Sequence, residues 1–405
     1  MYHNYQLHSI MKILFCNYEY PPLGGGGGVI NALLAEELAK RHEITVLTSQ
    51  GLGLPREEAI NNVRVIRAPV FFRRQKAAAN IPSMLAYLPM GIRAGKKLLD
   101  RETFDIINTH FALPSGPVGD ALSRLGRIPN VLSVHGGDLY DPSKFASPHR
   151  HAILRHWIRK LLRRANAVVG QSRNTLSNMQ KYYTPEIEGI RIPLGINRPN
   201  VIITSRGEFG FSGDEFLFVT VGRLVARKAV DQLIGIMGHF KGKPVRLLII
   251  GSGPQEQILR EKASQLHITN QVQFMGHVSD EDKQKILKVS DAFISTSQHE
   301  GFGIVYLEAM SAGLPVICYN YGGQTDFLED GKTGSVLSLN DTEAVFEACN
   351  TLINNKGYTQ RLSEENMRRI ESLYIDSCAK HYEEVFENLI NKFKSGAMRD
   401  AQCEF

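Results

Sequence analysis

The sequence lacks the features that mark membrane-spanning and disulfide-stabilised proteins. A transmembrane helix needs about 20 consecutive apolar residues, and no run in the sequence approaches that length. Cysteine is scarce, and no CxxC pair occurs. This usage argues against a disulfide framework or a structural zinc site, and it fits a reducing, cytoplasmic compartment. No His, Cys, Asp and Glu residues show the spacing of a metal site, so we predict no metal and no cofactor. The five cysteines are Cys16, Cys318, Cys349, Cys378 and Cys403.

The first ten residues also lack the apolar core of a signal peptide, because they are mostly polar. Residues 11–15 (MKILF) read like a natural chain start that continues directly into a strand. We therefore expect residues 1–10 to be a disordered extension or the product of a misplaced start codon.

Composition is ordinary for a globular protein, but charge is distributed unevenly. Hydrophobic residues make up 43% and charged residues 22% of the 405 positions, which makes disorder a poor interpretation and predicts two or three domains. Residues 1–195 hold 25 Lys and Arg against 14 Asp and Glu, a net charge of +11, whereas the remainder has a net charge of −5. The basic half predicts an anionic partner such as phosphate, anionic lipid or nucleic acid.

Short runs rich in Val, Ile and Leu alternate with helical stretches such as 30–41. The pattern restarts after residue 215, with a helix expected at 230–240. Such alternation predicts two doubly wound α/β domains with parallel sheets, joined by a linker at 197–214. A long amphipathic helix is expected at 376–393. The predicted strands are 12–18, 43–49, 63–67, 105–109, 130–135, 166–171, 190–194, 216–222, 245–251, 271–276, 291–296 and 314–319.

The segment 299–309 (HEGFGIVYLEA) follows a predicted strand and opens a helix. Glycines at such a turn let backbone N–H groups approach a ligand, and the helix N-terminus suits phosphate. Glu300 and Glu308 are separated by about 800° of helical rotation, so they lie near one face at different depths. We predict that one contacts a sugar ring and the other a ribose diol. A solvated Glu308 is disfavoured because its neighbours are apolar and an unpaired charge there is costly.

The segment 221–228 (VGRLVARK) also lies just past a strand end, where open α/β sheets bind ligands. Arg223 and Lys228 are placed across a turn and can converge on a diphosphate, whose charge grows as it leaves. Arg227 is expected to be the bystander.

Together these segments resemble the family-four retaining glycosyltransferases of GT-B fold, and the resemblance runs from about residue 11 to 393. The spacing of Glu300 and Glu308 matches that family's two-glutamate signature, and Arg223 and Lys228 match its diphosphate clamp. Two positions depart from the family pattern, Asn197 in place of Asp and Asp326 in place of Glu, and they leave the class intact. Further matching segments are 21–26 (PPLGGG), 134–138 (VHGGD), 193–197 (PLGIN), 251–254 (GSGP), 274–278 (FMGHV) and 322–326 (GGQTD).

The resemblance implies an α/β fold of GT-B type, with two Rossmann-like doubly wound parallel-sheet domains facing a central cleft. Residues 11–197 would form the acceptor-side domain and 198–375 the donor domain. Residues 376–395 would form a C-terminal helix that packs back on the N-terminal domain.

The resemblance also implies roles for individual residues. Arg223 and Lys228 would hold the donor diphosphate, Glu308 the ribose hydroxyls, and Glu300 the donor sugar. In such enzymes the departing phosphate deprotonates the incoming hydroxyl on the same face, which gives retention without a protein nucleophile. Catalysis is expected to depend on His135, Glu300, Arg223 and Lys228, with His135 touching the sugar or the acceptor. The other expected donor contacts are Gly25, Gly26, Gly253, Val278, Gly301, Phe302 and Gly303.

The implied activity is transfer of a hexose-type sugar to a hydroxyl acceptor in polysaccharide or glycolipid synthesis. A UDP-sugar is the favoured donor and a GDP-sugar the alternative. A nucleotide-sugar epimerase of the same fold remains a second interpretation, and a nucleic-acid-binding protein that uses the basic half a third. A nicotinamide-dependent oxidoreductase is disfavoured, because Val29 breaks the G-x-G-x-x-G pattern and the second strand ends without an acid.

Some polar groups have simpler interpretations. His110 ends a predicted strand and is either a ligand contact or a satisfied core histidine; His299 is similarly open. Residues 280–282 (DED) contain a D-x-D pattern, but they follow Ser279 and open a helix. Helix capping and dipole complementarity therefore explain them better than metal binding.

Residues 148–167 form a candidate basic amphipathic helix of the type that lies on anionic bilayers. Packing on the sheet is favoured for the helix itself, because the next strand follows directly. We nevertheless expect its basic face over 149–164 and the upstream loop residues Arg73, Arg74 and Lys76 to contact lipid head groups. The protein would then be cytoplasmic and peripheral on the membrane. The expected apolar side comprises Ile153, Leu154, Trp157, Ile158, Leu161 and Leu162.

Overall fold

A computed structural model describes residues 9–71, 73 and 80–396. Within them the chain forms two compact units. The first runs to Gly195 and resumes at Ile375, and the second is Ile196–Tyr374. The boundaries expected from the sequence, after 197 and after 375, lie within two residues of these positions.

The first unit contains an eight-stranded sheet in the order β3-β4-β2-β1-β5-β6-β7-β8. All neighbouring strands are parallel except β3, which pairs antiparallel with β4. Consecutive residues of β1 are buried, so both faces of the sheet are covered, as in doubly wound folds. The strands are β1 (Lys12–Cys16), β2 (Glu43–Gln50), β3 (Glu57–Ile60), β4 (Val63–Pro69), β5 (Ile106–His110), β6 (Asn130–Val134), β7 (Ala167–Gly170) and β8 (Ile190–Arg191).

Helices cover the two faces of this sheet. Tyr87 and Val118, from the second and third helices, pack on one face with Leu14 of β1. Leu34 and Leu38, from the first helix, pack on the other face with Phe15. The helices of this stretch are α1 (Gly26–Leu38), α2 (Ile81–Leu99), α3 (Ser115–Gly126), α4 (Ala152–Arg164) and α5 (Arg173–Tyr182).

The second unit contains a six-stranded parallel sheet in the order β11-β10-β9-β12-β13-β14. Phe218, Leu247 and Ile294 belong to a large buried apolar cluster of this unit. The strands are β9 (Phe216–Val221), β10 (Val245–Ile250), β11 (Val272–Gly276), β12 (Ala292–Ser295), β13 (Val316–Tyr319) and β14 (Gly334–Leu337). The helices are α6 (Val230–Gly238), α7 (Glu256–Gln265), α8 (Asp280–Val289), α9 (Ile304–Ser311), α10 (Thr342–Asn354) and α11 (Lys356–Ile370).

The last helix, α12 (Ile375–Lys394), belongs to the first unit, where Tyr382 and Phe386 enter the core beside α1. Arg41 and His42 hold it from outside through Glu383, at 2.7 and 2.9 Å. None of the described helices is long and apolar enough to cross a bilayer.

The expected linker at 197–214 is in part tied to the second unit. Arg206 donates to the carbonyl oxygens of Val289 (3.1 Å) and Glu215 (2.8 Å) and pairs with Asp291 at 2.6 Å. The second half of the predicted linker is therefore fixed to the second unit by these contacts.

In both sheets the strand order reverses at one position, between β1 and β5 and between β9 and β12. Loops after such neighbouring strands leave in opposite directions, and the crevice between them is where open α/β sheets bind ligands. The segments 21–26, 221–228 and 299–309 follow β1, β9 and β12, which border these positions.

Candidate active site

Lys228, Arg227 and Glu300 come together at the switch point of the second unit. Lys228, in the loop after β9, forms an ion pair with Glu300, in the loop after β12. Arg227 Nη1 lies 3.5 Å from Glu300 Oε2 and donates to the His299 carbonyl oxygen. The Gln298 N–H also donates to the Arg227 carbonyl oxygen at 2.8 Å. Two loops distant in sequence are thus joined into one cationic and anionic cluster.

Glu300 is a buried carboxylate held in its charged form. It is 8% exposed, and burial raises its pKa. The charges of Lys228 and then Arg227 outweigh burial, and the net pKa lies below the ordinary value. Both carboxylate oxygens are engaged by these cations. Arg227, the expected bystander, therefore belongs to the Glu300 cluster.

Two glycine-containing loops pack closely beside Glu300. Gly303 adopts the left-handed conformation (φ 92°) that glycine favours, and it caps α9. The Phe302 ring is buried against Phe327, with centroids 5.0 Å apart. The Gly323 N–H donates to the Glu300 carbonyl oxygen at 2.9 Å. The chain around Glu300 is therefore held from both sides by backbone contacts.

Glu308 lies in the second turn of α9 and pairs with Lys283 of α8 at 2.8 Å. Burial lowers the Lys283 pKa, but Glu308 and Asp280 outweigh it, and the net pKa is raised. The negative charge of Glu308 is therefore balanced by Lys283. Sequence reasoning missed Lys283, which no local pattern connects to a position 25 residues later.

The D-x-D segment behaves as predicted. The Ser279 hydroxyl caps α8 by accepting the Asp282 N–H at 3.0 Å, and the three acids occupy the first helical turn. The described residues contain no group of three or more His, Cys, Asp and Glu placed to hold a metal.

The other predicted donor contacts in this unit lie around the same strand ends. Arg223 is exposed, and within the described chain its guanidinium makes no ion pair or hydrogen bond, so it is not part of the Glu300 cluster. A Cβ on Gly253 would lie 2.3 Å from the Leu224 carbonyl oxygen, so the loops after β9 and β10 are in contact there. Val278 is half-buried just after β11.

In the first unit, Gly25 and Gly26 lie at the N-terminus of α1. Gly25 is the cap residue and its N–H donates to Glu19 Oε2 at 3.3 Å. A Cβ on either glycine would meet no heavy atom within 4 Å. Open space therefore faces a helix N-terminus of the kind that attracts phosphate.

His135 follows β6, where its Nε2 lies 3.0 Å from His110 Nδ1. Its ring packs on Phe111, with centroids 4.3 Å apart. Burial lowers the pKa of His135 to about 4, so the imidazole is neutral near pH 7. Asp138 joins two strand-end loops by accepting the N–H groups of Ala112 (2.7 Å) and His135 (2.9 Å). Burial raises the pKa of Asp138 to about 6.

The expected lipid-contacting residues are only partly exposed. Arg73 is buried, with Nη1 3.3 Å from Ser49 Oγ and the guanidinium over the Tyr18 ring, so its predicted lipid contact is wrong. Arg74 and Lys76 lie outside the described residues. In α4, Ile158, Leu161 and Leu162 face the core as predicted, whereas Ile153 is 82% exposed, because it lies in the first turn of α4, on the side away from the core.

The comparisons with known proteins agree with this arrangement. The family model Glycosyltransferase Family 4 matches residues 24–198, and Glycosyl transferases group 1 matches residues 201–369. N-acetyl-alpha-D-glucosaminyl L-malate synthase of Bacillus anthracis is 24% identical over 393 residues, which cover 93% of this chain and 97% of that protein.

Two solved structures show the same fold. A sucrose-phosphate synthase from Thermosynechococcus elongatus has a TM-score of 0.80 at 21% identity, covering 94% of this chain and 98% of its own. HepE of Anabaena, in complex with UDP, has a TM-score of 0.76 at 19% identity, with coverage of 93% and 100%.

Two parallel-sheet α/β units, each with its candidate residues at a strand-order switch, define a glycosyltransferase of GT-B fold. Both halves of the chain match the corresponding family models. The chain belongs to the family-four-like glycosyltransferases.

Proposed function

We propose that the protein is a retaining, metal-independent transferase that moves a hexose from a nucleotide diphosphate sugar to a hydroxyl acceptor. The observation that carries this proposal is the cluster of Glu300, Lys228 and Arg227 at the β9–β12 switch point, with Glu308 on the helix that begins there. A UDP-sugar is the favoured donor, since HepE, which shares the fold, binds UDP. A GDP-sugar is the alternative.

These residues would stabilise the charges that develop on the leaving group and on the sugar during transfer. As the bond between the anomeric carbon and the diphosphate breaks, Lys228 and Arg223 neutralise the leaving group. The acceptor oxygen attacks the anomeric carbon on the same face, and its proton passes to the departing phosphate. Glu300 stabilises the positive charge that develops on the sugar. Its two oxygens are occupied by cations, which favours this role over that of a covalent nucleophile.

The other predicted site residues would bind the nucleotide, the sugar or the acceptor. Glu308 would bond the ribose hydroxyls, with Lys283 holding its carboxylate in place. Val278 would meet the base through its backbone, and Gly253 would border it. Gly25 and Gly26 would approach the phosphates and the acceptor through their N–H groups. His135, neutral near pH 7, would touch the sugar or the acceptor.

The donor is identified by thermal unfolding in the presence of UDP, GDP, ADP and their sugar conjugates, each with and without EDTA. A ligand present at 100 times its Kd stabilises the native state by about 2.7 kcal/mol. We expect one diphosphate to raise the Tm, with no effect of EDTA, and Arg223→Ala to lose most of the shift. Arg368→Ala is the control, because Arg368 pairs with Glu365 on α11. No shift with any diphosphate contradicts the donor assignment, and an equal loss in both variants contradicts the role of Arg223.

Product analysis separates the transferase from an epimerase of the same fold. The transferase releases a nucleoside diphosphate in proportion to glycosylated acceptor. An epimerase instead converts the nucleotide sugar to an isomer without an acceptor. Salt-dependent DNA binding in a protein that binds no nucleotide sugar would favour the nucleic-acid interpretation.

We further propose that the first unit contacts an anionic membrane surface that carries a lipid-linked acceptor. Phe145 and Ile153 are each 82% exposed, and the Phe145 ring lies against His151. Arg150 and Lys160 lie nearby in sequence, so apolar and basic groups are presented together. Such a combination suits the interface of an anionic bilayer.

Sedimentation with phosphatidylglycerol vesicles tests this surface. We expect Phe145→Ser with Ile153→Ser to reduce the bound fraction several-fold, and high salt to weaken binding of the unmodified protein. Ile258→Ser is the control, since Ile258 is an exposed apolar residue of the second unit. Equal binding of the double variant and the control would contradict the proposed surface.

A further inference from the structure

A chain of buried hydrogen bonds runs from α12 to His135. The Tyr382 hydroxyl donates to Ser133 Oγ at 3.0 Å, and Ser133 Oγ donates to Asn108 Oδ1 at 3.1 Å. Asn108 Nδ2 lies 2.9 Å from His110 Nε2, and His110 Nδ1 lies 3.0 Å from His135 Nε2. Four of the five side chains are fully buried, and His135 is half-buried at the end.

Each bond in this chain has a direction, and the directions depend on one another. Because Asn108 Oδ1 accepts from Ser133, the Asn108 amino group faces His110 and can only donate. His110 Nε2 must therefore carry a lone pair, which places the His110 proton on Nδ1. That proton is donated to His135 Nε2, so the proton of a neutral His135 lies on Nδ1.

The opposite direction leaves a buried proton without an acceptor. If Asn108 were turned around, Ser133 would accept from its amino group, and the hydroxyl protons of Ser133 and Tyr382 would have only each other's oxygen. One of the two would then donate to nothing, since no further acceptor contacts either oxygen within the described part of the chain. A buried hydrogen-bond donor without an acceptor is costly, which favours the first direction.

The chain also requires both imidazoles to be neutral. A second proton on His135 would set its Nε2–H against the His110 Nδ1–H, and a second proton on His110 would set its Nε2–H against the Asn108 amino group. Burial lowers the pKa of His110 well below its ordinary value, and the neighbouring His135 lowers it further. Burial likewise lowers the pKa of His135 to about 4, against a smaller opposite effect of the Gln171 side chain. Neutral rings near pH 7 are consistent with the directed chain.

We propose that His110 is a positioning residue that holds His135 as the neutral tautomer protonated on Nδ1. The Nδ1–H is then the group that His135 presents to Gln171 or to a ligand oxygen, and His135 acts as a hydrogen-bond donor with no free basic nitrogen. The inference rests on the proposed function only for the contact between His135 and the sugar or acceptor. It deepens that function, because a donor at this position leaves the departing phosphate to take the acceptor proton.

The tautomer is measured directly by nitrogen-15 NMR of protein labelled at histidine, since protonated and unprotonated imidazole nitrogens differ widely in chemical shift. The His135 signals are assigned by their loss in His135→Gln. We expect both His110 and His135 to carry the proton on Nδ1 at pH 7. A proton on Nε2 of His135 in the unmodified protein overturns the proposal, and this measurement needs no folded variant apart from the one used for assignment.

Two variants test the chain of hydrogen bonds itself. His110→Phe removes the donor to His135 Nε2, so we expect a population of His135 protonated on Nε2 to appear. Ser133→Ala removes the group that orients Asn108, and mixed tautomers are then expected at both histidines. Thr109→Val is the matched control: it removes a buried 2.7 Å bond to Asn130 from the same strand without touching the chain. The Thr109→Val protein should keep the His135 proton on Nδ1.

The outcomes distinguish this inference from the proposed function. A folded His110→Phe protein in which His135 remains solely on Nδ1 overturns the positioning role. A His135 Nδ1 proton that depends on His110, in a protein that transfers no sugar, supports the positioning role of His110 and contradicts the transferase proposal. A His135 protonated on Nε2 in an active transferase overturns the positioning role of His110 and supports the transferase proposal.

Discussion

Glu300→Gln is expected to lower the kcat/KM of sugar transfer by about 10²–10³-fold. Removing a preorganised electrostatic group from a water-excluded site typically has an effect of this size. Glu300 is buried and is kept ionised by Lys228 and Arg227, so the neutral amide removes the charge while it retains the shape. Initial rates with the identified donor measure the loss.

Glu281→Gln is the matched control for Glu300→Gln. Glu281 lies in the first turn of α8 and pairs with Lys285 at 2.7 Å, away from the Glu300 cluster. Its neutralisation should leave transfer within about twofold, because exposed ion pairs contribute roughly 0–1 kcal/mol. A folded Glu300→Gln enzyme with at least half of the original rate would show that this carboxylate does not serve the transition state.

Gly323→Ala is expected to lower the free energy of unfolding by about 2–4 kcal/mol and to weaken donor binding at least tenfold. A Cβ at this position would lie 2.1 Å from the Gly301 carbonyl oxygen and 2.9 Å from the Phe302 Cα. Both neighbours are backbone atoms, so the Glu300 loop itself must move. Urea unfolding measures stability, and calorimetry with the donor diphosphate measures binding.

Gly357→Ala supplies the comparison for Gly323→Ala. Gly357 lies in the first turn of α11, where a Cβ would meet, apart from its chain neighbours and the adjoining helix backbone, only Asn355 Oδ1 within 4 Å, at 3.8 Å. Alanine there should stabilise the protein by about 0.5 kcal/mol, because it reduces the entropy of the unfolded chain. If both variants were equally stable and bound donor equally, the contact between the two glycine loops would carry no constraint.

The α/β order of both units was predictable because parallel strands buried on two faces form continuous apolar runs. Two strands were missed for physical reasons. The β3 sequence EEAI alternates between exposed and half-buried residues at the sheet edge, and β14 is a four-residue strand that begins with glycine. The helix α1 begins at Gly26, four residues before the predicted start at 30. The earlier start was not predictable because glycine has low intrinsic helix propensity, so the surrounding structure decides its conformation.

The candidate site was predictable where its signal was local. Glycines mark the turn that follows Glu300, but the expected helical rotation between Glu300 and Glu308 is wrong, because α9 begins at Ile304 and only Glu308 lies on it. The contacts of Arg227 with Glu300 and of Lys283 with Glu308 join positions on different elements, so no periodicity indicates them. Arg73 illustrates the opposite error: an arginine in a basic segment was expected at the surface, but it packs on Tyr18.

The position of α12 has a consequence for biosynthesis. The first unit takes its last helix from beyond Tyr374, after the whole of the second unit has been made. At about 5–20 residues per second, the ribosome needs roughly 10–40 s to add the intervening residues. During that time the second unit, which is continuous in sequence, can fold, while the first exposes the apolar face that Tyr382 and Phe386 later cover. The nascent chain should therefore recruit holding chaperones through its N-terminal half, and stop codons shortly before 375 should yield a folded second unit attached to an aggregation-prone first unit.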